Sequence, residues 1–307
     1  MACGMKPLVV VISLSWVLSM QQHSSSVHGK PQVPCFFIFG DSLADNGNNN
    51  LLDTLAKVNY RPYGIDFSGG VTGRFSNGQT TVDVLSELMG FDNYIPPFSF
   101  LNGSDILKGV NYASGAAGIR KETGKQLGAR ISMRIQLKNH KITVSRIVDI
   151  VEKYYHTSKK FTTEKYAEVL IKQYSGQILR LYKYGARKPN SLTKGLSLVD
   201  QLNSNFTNAK FIYINSFEMG SGDPAAAGFT VSNVGCCSVN EVGQCKFHQT
   251  PCKNRTEYVF WDGFHPTEAL NRITAIRSYS AFNPADTYPM DISQLVQLKI
   301  NPGALAT

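Results

Sequence analysis

Acidic residues are scarce over much of this chain. Across 307 residues there are 31 Lys and Arg against 22 Asp and Glu. Between Lys108 and Lys194 the count is 19 Lys and Arg to 5 Asp and Glu. Such a basic stretch reads as solvated helix faces ahead of a site for a polyanion such as an acidic polysaccharide. Nucleic acid is not an expected partner, because the chain has no RNP-like aromatic set and no zinc-finger spacing. There is no Gly-x-Ser-x-Gly, which removes the usual α/β-hydrolase nucleophile elbow. There is no internal repeat and no low-complexity block, which argues against a solenoid or a disordered tract. Beyond the N-terminal region, no run is long and apolar enough to span a bilayer, so stable membrane insertion is not expected. What remains is a globular composition, with 42% hydrophobic and 17% charged residues and enough length for a sizeable core.

The N-terminus has its own pattern. Lys6 precedes the apolar run Leu8–Met20, and a polar, small-residue stretch follows. That order predicts a secretory signal over residues 1–29, with a mature chain from about Lys30 and a single domain over 30–307. A secreted, extracellular protein is therefore expected. Five cysteines then remain: Cys35, Cys236, Cys237, Cys245 and Cys252. Four of them fall within seventeen positions, which predicts a disulfide-stapled loop. Adjacent Cys236 and Cys237 have poor spacing for the rival zinc site. Four cysteines allow three pairings, and the fifth adds more. Sequons at Asn102, Asn205 and Asn254 fit the same compartment as glycosylation sites.

The clearest strand signal is Cys35–Phe39, with weaker ones at Val110–Ala113 and Phe211–Ile214. Helical periodicity occupies Gln79–Met89, Thr163–Tyr184 and Thr267–Tyr279. Short strands alternating with helices predict a parallel, doubly wound sheet.

Phe36–Asn50, FFIFGDSLADNGNNN, carries the chemistry. Its apolar strand runs directly into Gly-Asp-Ser. A serine just beyond the carboxyl end of a strand can present its hydroxyl to a crevice, and the amides that follow can face an oxyanion. Serine is too weakly acidic to act alone and needs a base with an orienting partner. Among the histidines, His265 has Asp262 three residues before it in WDGFHPTEA. One tight turn would bring that carboxylate to the imidazole nitrogen that faces away from the serine. Pro266 suits the first turn of the following helix.

Taken together, FGDSLADNGNN, GRFSNGQTTVDVL, GVNYASGAAGI, GCC and FWDGFHPTEA resemble the plant-type GDSL esterase/lipases of the SGNH hydrolase superfamily. The likeness runs from Cys35 to about Ile292. It implies a flavodoxin-like three-layer α/β/α fold with a parallel sheet. It implies Ser42 as nucleophile, His265 as general base and Asp262 as its orienting carboxylate. The Ser42 N–H would be one oxyanion donor and Gly115 another, with Gly118 as the alternative register. Small-molecule, lipid or cell-wall esters are the implied substrates, with neither metal nor organic cofactor, and a monomer is expected. Two departures stand out. The family's apolar strand ending in Gly-x-Asn-Asp, whose Asn is a further oxyanion donor, is missing, and no Asn-Asp dipeptide occurs anywhere. After Gly185-Ala186-Arg187-Lys188, Pro189-Asn190 interrupts where another core strand belongs. The chain thus resembles the family with two internal pieces removed and one or two sheet strands lost. A non-catalytic GDSL-like secreted glycoprotein is accordingly the alternative to an active esterase.

Overall fold

The structure is a computed structural model that describes residues 30–101, 103–154, 192–206 and 209–298. The secretory signal expected over residues 1–29 and the helix expected at Thr163–Tyr184 lie outside the described residues. In chain order the main elements are β1 (Phe36–Ile38), α1 (Thr81–Leu88), β2 (Gly109–Asn111), α2 (Met133–Tyr154), α3 (Leu192–Asn205) and β3 (Tyr213–Ile214). They continue with α4 (Ser216–Gly220), β4 (Val231–Gly235), β5 (Tyr258–Phe260), α5 (Glu268–Tyr279), β6 (Thr287–Tyr288) and α6 (Ile292–Gln297).

The result is a truncated α/β fold. Among the described residues its strands form three separate pairs: β1 with β2 and β4 with β5 in parallel, β3 with β6 antiparallel. The expected parallel order therefore holds in two pairs and fails in the third. A parallel pair ordinarily lies inside a wider sheet covered on both faces. Here β1 has β2 as its ladder partner and no strand is described between Ile119 and Tyr154, consistent with a chain short of inner strands.

The β1–β2 register pairs Phe36 with Gly109 and Phe37 with Val110. Gly109 has φ +128°, and a Cβ there would stand 1.9 Å from the Phe36 carbonyl oxygen. Only glycine lets the strands meet at this point.

Thr80 caps α1. Its side chain accepts from the Asp83 N–H, while Asp83 accepts from the Thr80 N–H, a complete capping box. Val84, Leu85 and Met89 then fall on the inward face, beside Ile38, Ala44, Ala113 and Ala275 of α5. The α1–α5 contact thus sits directly behind the turn that follows β1. Val58, Tyr63, Phe75, Trp261 and three of the cysteines form a second cluster. Ile106, Val110 and Tyr112 form a third.

α5 begins at Glu268 with Thr267 as its N-cap, so Pro266 precedes the cap and is not in the first turn. The Thr267 hydroxyl accepts the Leu270 N–H, an orphan donor that proline at this place could not have satisfied.

Candidate active site

Ser42 lies on the turn leaving β1. The start of the turn is clamped from α2: the Gly40 N–H donates to Gln136 Oε1 at 3.1 Å, and Gln136 Nε2 donates to the Gly40 carbonyl at 2.8 Å. Within the turn, the Leu43 N–H donates to Asp41 Oδ1, and the Ala44 and Asp45 N–H groups donate to the Asp41 carbonyl. The Ser42 N–H meets no acceptor among the described residues.

The polar run after Ser42 is tied to the GVNYASG loop. Asp45 is fully buried, and its carboxylate accepts from the N–H groups of Gly47, Asn48 and Gly115, each at 2.8 Å. Burial pushes its pKa up to about 6, against the lowering effect of those N–H bonds. Asn48 Nδ2 donates to the Asn111 and Ala113 carbonyls, and Asn49 Nδ2 to the Ala56 and Gly115 carbonyls. Asn111 returns the tie by donating to the Ala44 carbonyl.

This network changes the expectation for Gly115. Its N–H donates to the buried Asp45 carboxylate and so does not face Ser42 as a free donor. An oxyanion would have to displace a charge-assisted bond to take it.

Asp262 and His265 come from the turn after β5, closed by the Trp261 N–H donating to the His265 carbonyl at 2.8 Å. Both side chains are buried. Asp262 Oδ1 accepts the backbone N–H of Phe264 at 3.0 Å and of His265 at 2.8 Å. Its Oδ2 lies 2.7 Å from His265 Nδ1, and His265 Nε2 lies 2.8 Å from Ser42 Oγ. A carboxylate accepts only, so the imidazole proton sits on Nδ1 and Nε2 is left as the acceptor for the serine hydroxyl. The structure therefore brings together the three residues that the sequence singled out, 223 positions apart at the widest. The rings of Phe75 and Phe264 flank the imidazole, with centroids at 4.9 and 4.3 Å.

The cysteine loop backs this turn. Cys236 pairs with Cys252 and Cys237 with Cys245, while Cys35 is free. The N–H groups of Cys236 and Cys237 donate to the carbonyls of Phe260 and Trp261, which continues the β4–β5 ladder to the residue before Asp262. Just before the cysteine pair, Gly235 passes so close that a Cβ would lie 2.4 Å from the Asp262 carbonyl oxygen. Of the sequons, Asn102 lies outside the described residues, while Asn205 at the end of α3 and Asn254 are exposed.

Sequence reasoning missed four residues of this site: Tyr63, Asp45, Gln136 and Asn111. The dense amides of Asn48–Asn50 are the one signal that a loop longer than a turn was being anchored.

The model of the GDSL-like Lipase/Acylhydrolase family matches residues 36–277. GDSL esterase/lipase At1g29670 of Arabidopsis thaliana is 47% identical over 336 positions, covering 87% of this chain and 92% of that protein. At1g29660 and At4g18970, of the same name and organism, are 45% and 42% identical, covering 92% and 94% of this chain and 96% and 99% of theirs. With At1g29670, 87% of 307 residues is about 267, against 336 aligned positions, so about 69 positions of that alignment have no counterpart here. The relative carries internal sequence that this chain lacks. The motif blocks, the matched family model and relatives of this similarity lead to one conclusion: the chain belongs to the GDSL esterase/lipase family of carboxylic ester hydrolases.

Proposed function

We propose that this chain is a secreted serine esterase whose nucleophile is Ser42, general base His265 and orienting carboxylate Asp262. The observation that carries the reading is the unbroken contact series from Ser42 Oγ to His265 Nε2 and from His265 Nδ1 to Asp262 Oδ2. In the reaction, Ser42 Oγ attacks the ester carbonyl as its proton passes to Nε2. The imidazolium then protonates the departing alcohol, and water attacks the acyl-serine with His265 again taking the proton. Asp262 stays ionised and stabilises the imidazolium.

The Ser42 N–H, without an acceptor among the described residues, is the donor available to the oxyanion. With the family's Asn absent and Gly115 bound to Asp45, turnover should be lower by about 10²–10³ for each donor missing. Leu43 and Phe264, 54% and 53% exposed beside Ser42 and His265, favour a substrate with an apolar acyl part. Two disulfides support an oxidising compartment and hence residues 1–29 as a secretory signal, with glycosylation at Asn205 and Asn254. Residues 30–307 form one domain in this reading, supported by the clustering of Pro31–Thr307 into one compact unit.

The missing Asn block favours a second reading, an inactive secreted glycoprotein. Hydrolysis of p-nitrophenyl acetate by purified protein, beside Ser42→Ala, separates the two, with covalent labelling by a fluorophosphonate probe, fluoride leaving as the serine attacks phosphorus, as a second readout of the nucleophile. Turnover and labelling that both vanish in Ser42→Ala support the esterase. Folded protein without either supports the inactive glycoprotein.

A further inference from the structure

We propose that Tyr63 is a positioning residue for the Asp262–His265 pair, held in place by the disulfide-closed Cys237–Cys245 loop. The proposal rests on the reading of Ser42 as nucleophile given above.

The Tyr63 side chain is fully buried. Its Oη lies 2.7 Å from Asp262 Oδ2, the same oxygen that meets His265 Nδ1. The Cys245 N–H donates to Tyr63 Oη at 3.0 Å. A phenol has a single proton, and an amide already faces its lone pair, so the O–H is directed at the carboxylate. Burial and the Asp262 charge both push the phenol far above its ordinary pKa, which keeps it a donor.

All four acceptor positions of Asp262 are thereby filled: two backbone N–H groups on Oδ1, the imidazole and the phenol on Oδ2. The terminal torsion of aspartate is intrinsically broad, and these donors together narrow it. Tyr63 supplies the second donor on Oδ2 and so helps to hold that oxygen against His265 Nδ1.

Tyr63 is itself braced from two sides. Its ring packs edge-on against Tyr60, Trp261 and Phe75, and Phe75 in turn packs on His265. Cys245 is bonded to Cys237, whose N–H donates to the Trp261 carbonyl. The small disulfide loop therefore touches both the residue preceding Asp262 and the phenol that faces it.

Tyr60 provides the comparison. Its phenol donates to the Cys245 carbonyl at 2.9 Å and makes no bond to Asp262. The test measures p-nitrophenyl acetate kinetics for the full chain, Ser42→Ala, Tyr63→Phe and Tyr60→Phe, with circular dichroism on each. Tyr63→Phe should lower kcat about 10- to 100-fold with KM within about twofold. The rate of fluorophosphonate labelling should fall in parallel. Tyr60→Phe should stay within about twofold of the parent in kcat. The downfield proton resonance of His265 Nδ1–H should move when 3-fluorotyrosine replaces Tyr63, a measurement that keeps both ring and hydroxyl. Equal kcat losses in the two phenylalanine variants, parental kcat in Tyr63→Phe or an unmoved resonance would overturn the role of Tyr63. Parental turnover in Ser42→Ala would instead overturn the nucleophile assignment, and the positioning role with it.

Discussion

Replacing Asp262 with asparagine tests the polarity of the relay. In the structure Oδ1 accepts two backbone N–H groups, from Phe264 and His265. Those backbone donors cannot change role, whereas the imidazole and the Tyr63 hydroxyl that face Oδ2 can, so the carbonyl of an amide placed there takes the Oδ1 position and its NH₂ the Oδ2 position. The NH₂ then faces His265 Nδ1, which lies 2.7 Å from Oδ2 in the parent. The imidazole avoids a donor–donor clash by moving its proton to Nε2. Nε2 is the atom 2.8 Å from Ser42 Oγ, so the base now holds a proton where it should accept one. A tautomer inverted in this way costs about 10⁴ in kcat, equivalent to ~5.5 kcal/mol of barrier. KM should barely change, because the contact acts on proton transfer and not on ester binding. The assay is p-nitrophenyl acetate kinetics for Asp262→Asn, Ser42→Ala and the double variant, with circular dichroism to establish folding. The double variant should be no slower than Ser42→Ala alone. A folded Asp262→Asn protein that loses less than about tenfold in kcat would refute the reasoning, since the base would then function without its carboxylate.

Two further outcomes concern the scaffold. Arg74 and Asp83 form a buried bidentate pair with N–O distances of 2.8 and 2.7 Å, the guanidinium stacked 4.1 Å from the Phe67 ring centroid. Asp83→Ala strands that guanidinium and removes the α1 capping box, so the protein should lose about 3–5 kcal/mol and about 10 °C in Tm by calorimetry; a change under about 2 °C would show the pair to be neutral. Asp45, raised by burial to about 6 from 3.8, holds its proton more tightly folded than unfolded. Its contribution is fully present below pH 3.8 and is lost as pH rises through about 6, so Tm should increase as pH is lowered from 7 to 5. Asp45→Asn should flatten that slope, although Glu268, also raised by burial, keeps part of it; an equally steep slope in the variant would exclude Asp45 as its source.

What the sequence shows readily here is local. β1 is legible because four apolar residues, Phe36–Phe39, end at Gly40, and Asp262 with His265 because three residues make one turn. Ser42 follows from its place after a strand. The bonds that hold these pieces leave no such trace. Gly115 reaches Asp45 across 70 positions, Gln136 reaches Gly40 across 96, and Tyr63 reaches Asp262 across 199. No periodicity links such partners, and a tyrosine, a glutamine and a glycine are ordinary residues until a fold brings them together. The cysteine pairing is hidden for a similar reason. Any of three pairings closes plausible loops, and the nested one formed here follows from the ladder that sets Cys236 and Cys237 against Phe260 and Trp261. β3 falls within the apolar run Phe211–Ile214, but its antiparallel partner β6 is two residues long, with no alternation to read.

The site and the sheet are supported by different parts of the molecule. β1 carries Ser42, yet beyond its pairing with β2 the turn is held by side chains: Gln136 on Gly40, Asp45 on Gly115, Asn48 on Ala113, Asn111 on Ala44. The Asp262–His265 turn rests on β4, two disulfides and Tyr63. None of these supports belongs to an inner sheet strand between Ile119 and Leu196, where the family block is missing. Loss of such strands therefore acts first on the cover of β1 and β2, leaving ladder groups and apolar edges without neighbours. It acts on the Ser42–His265 contact only through global stability. Stability and site geometry should consequently separate in this chain: conditions that favour the folded state, such as low temperature or an excluded osmolyte, should restore whatever activity the remaining oxyanion donors permit.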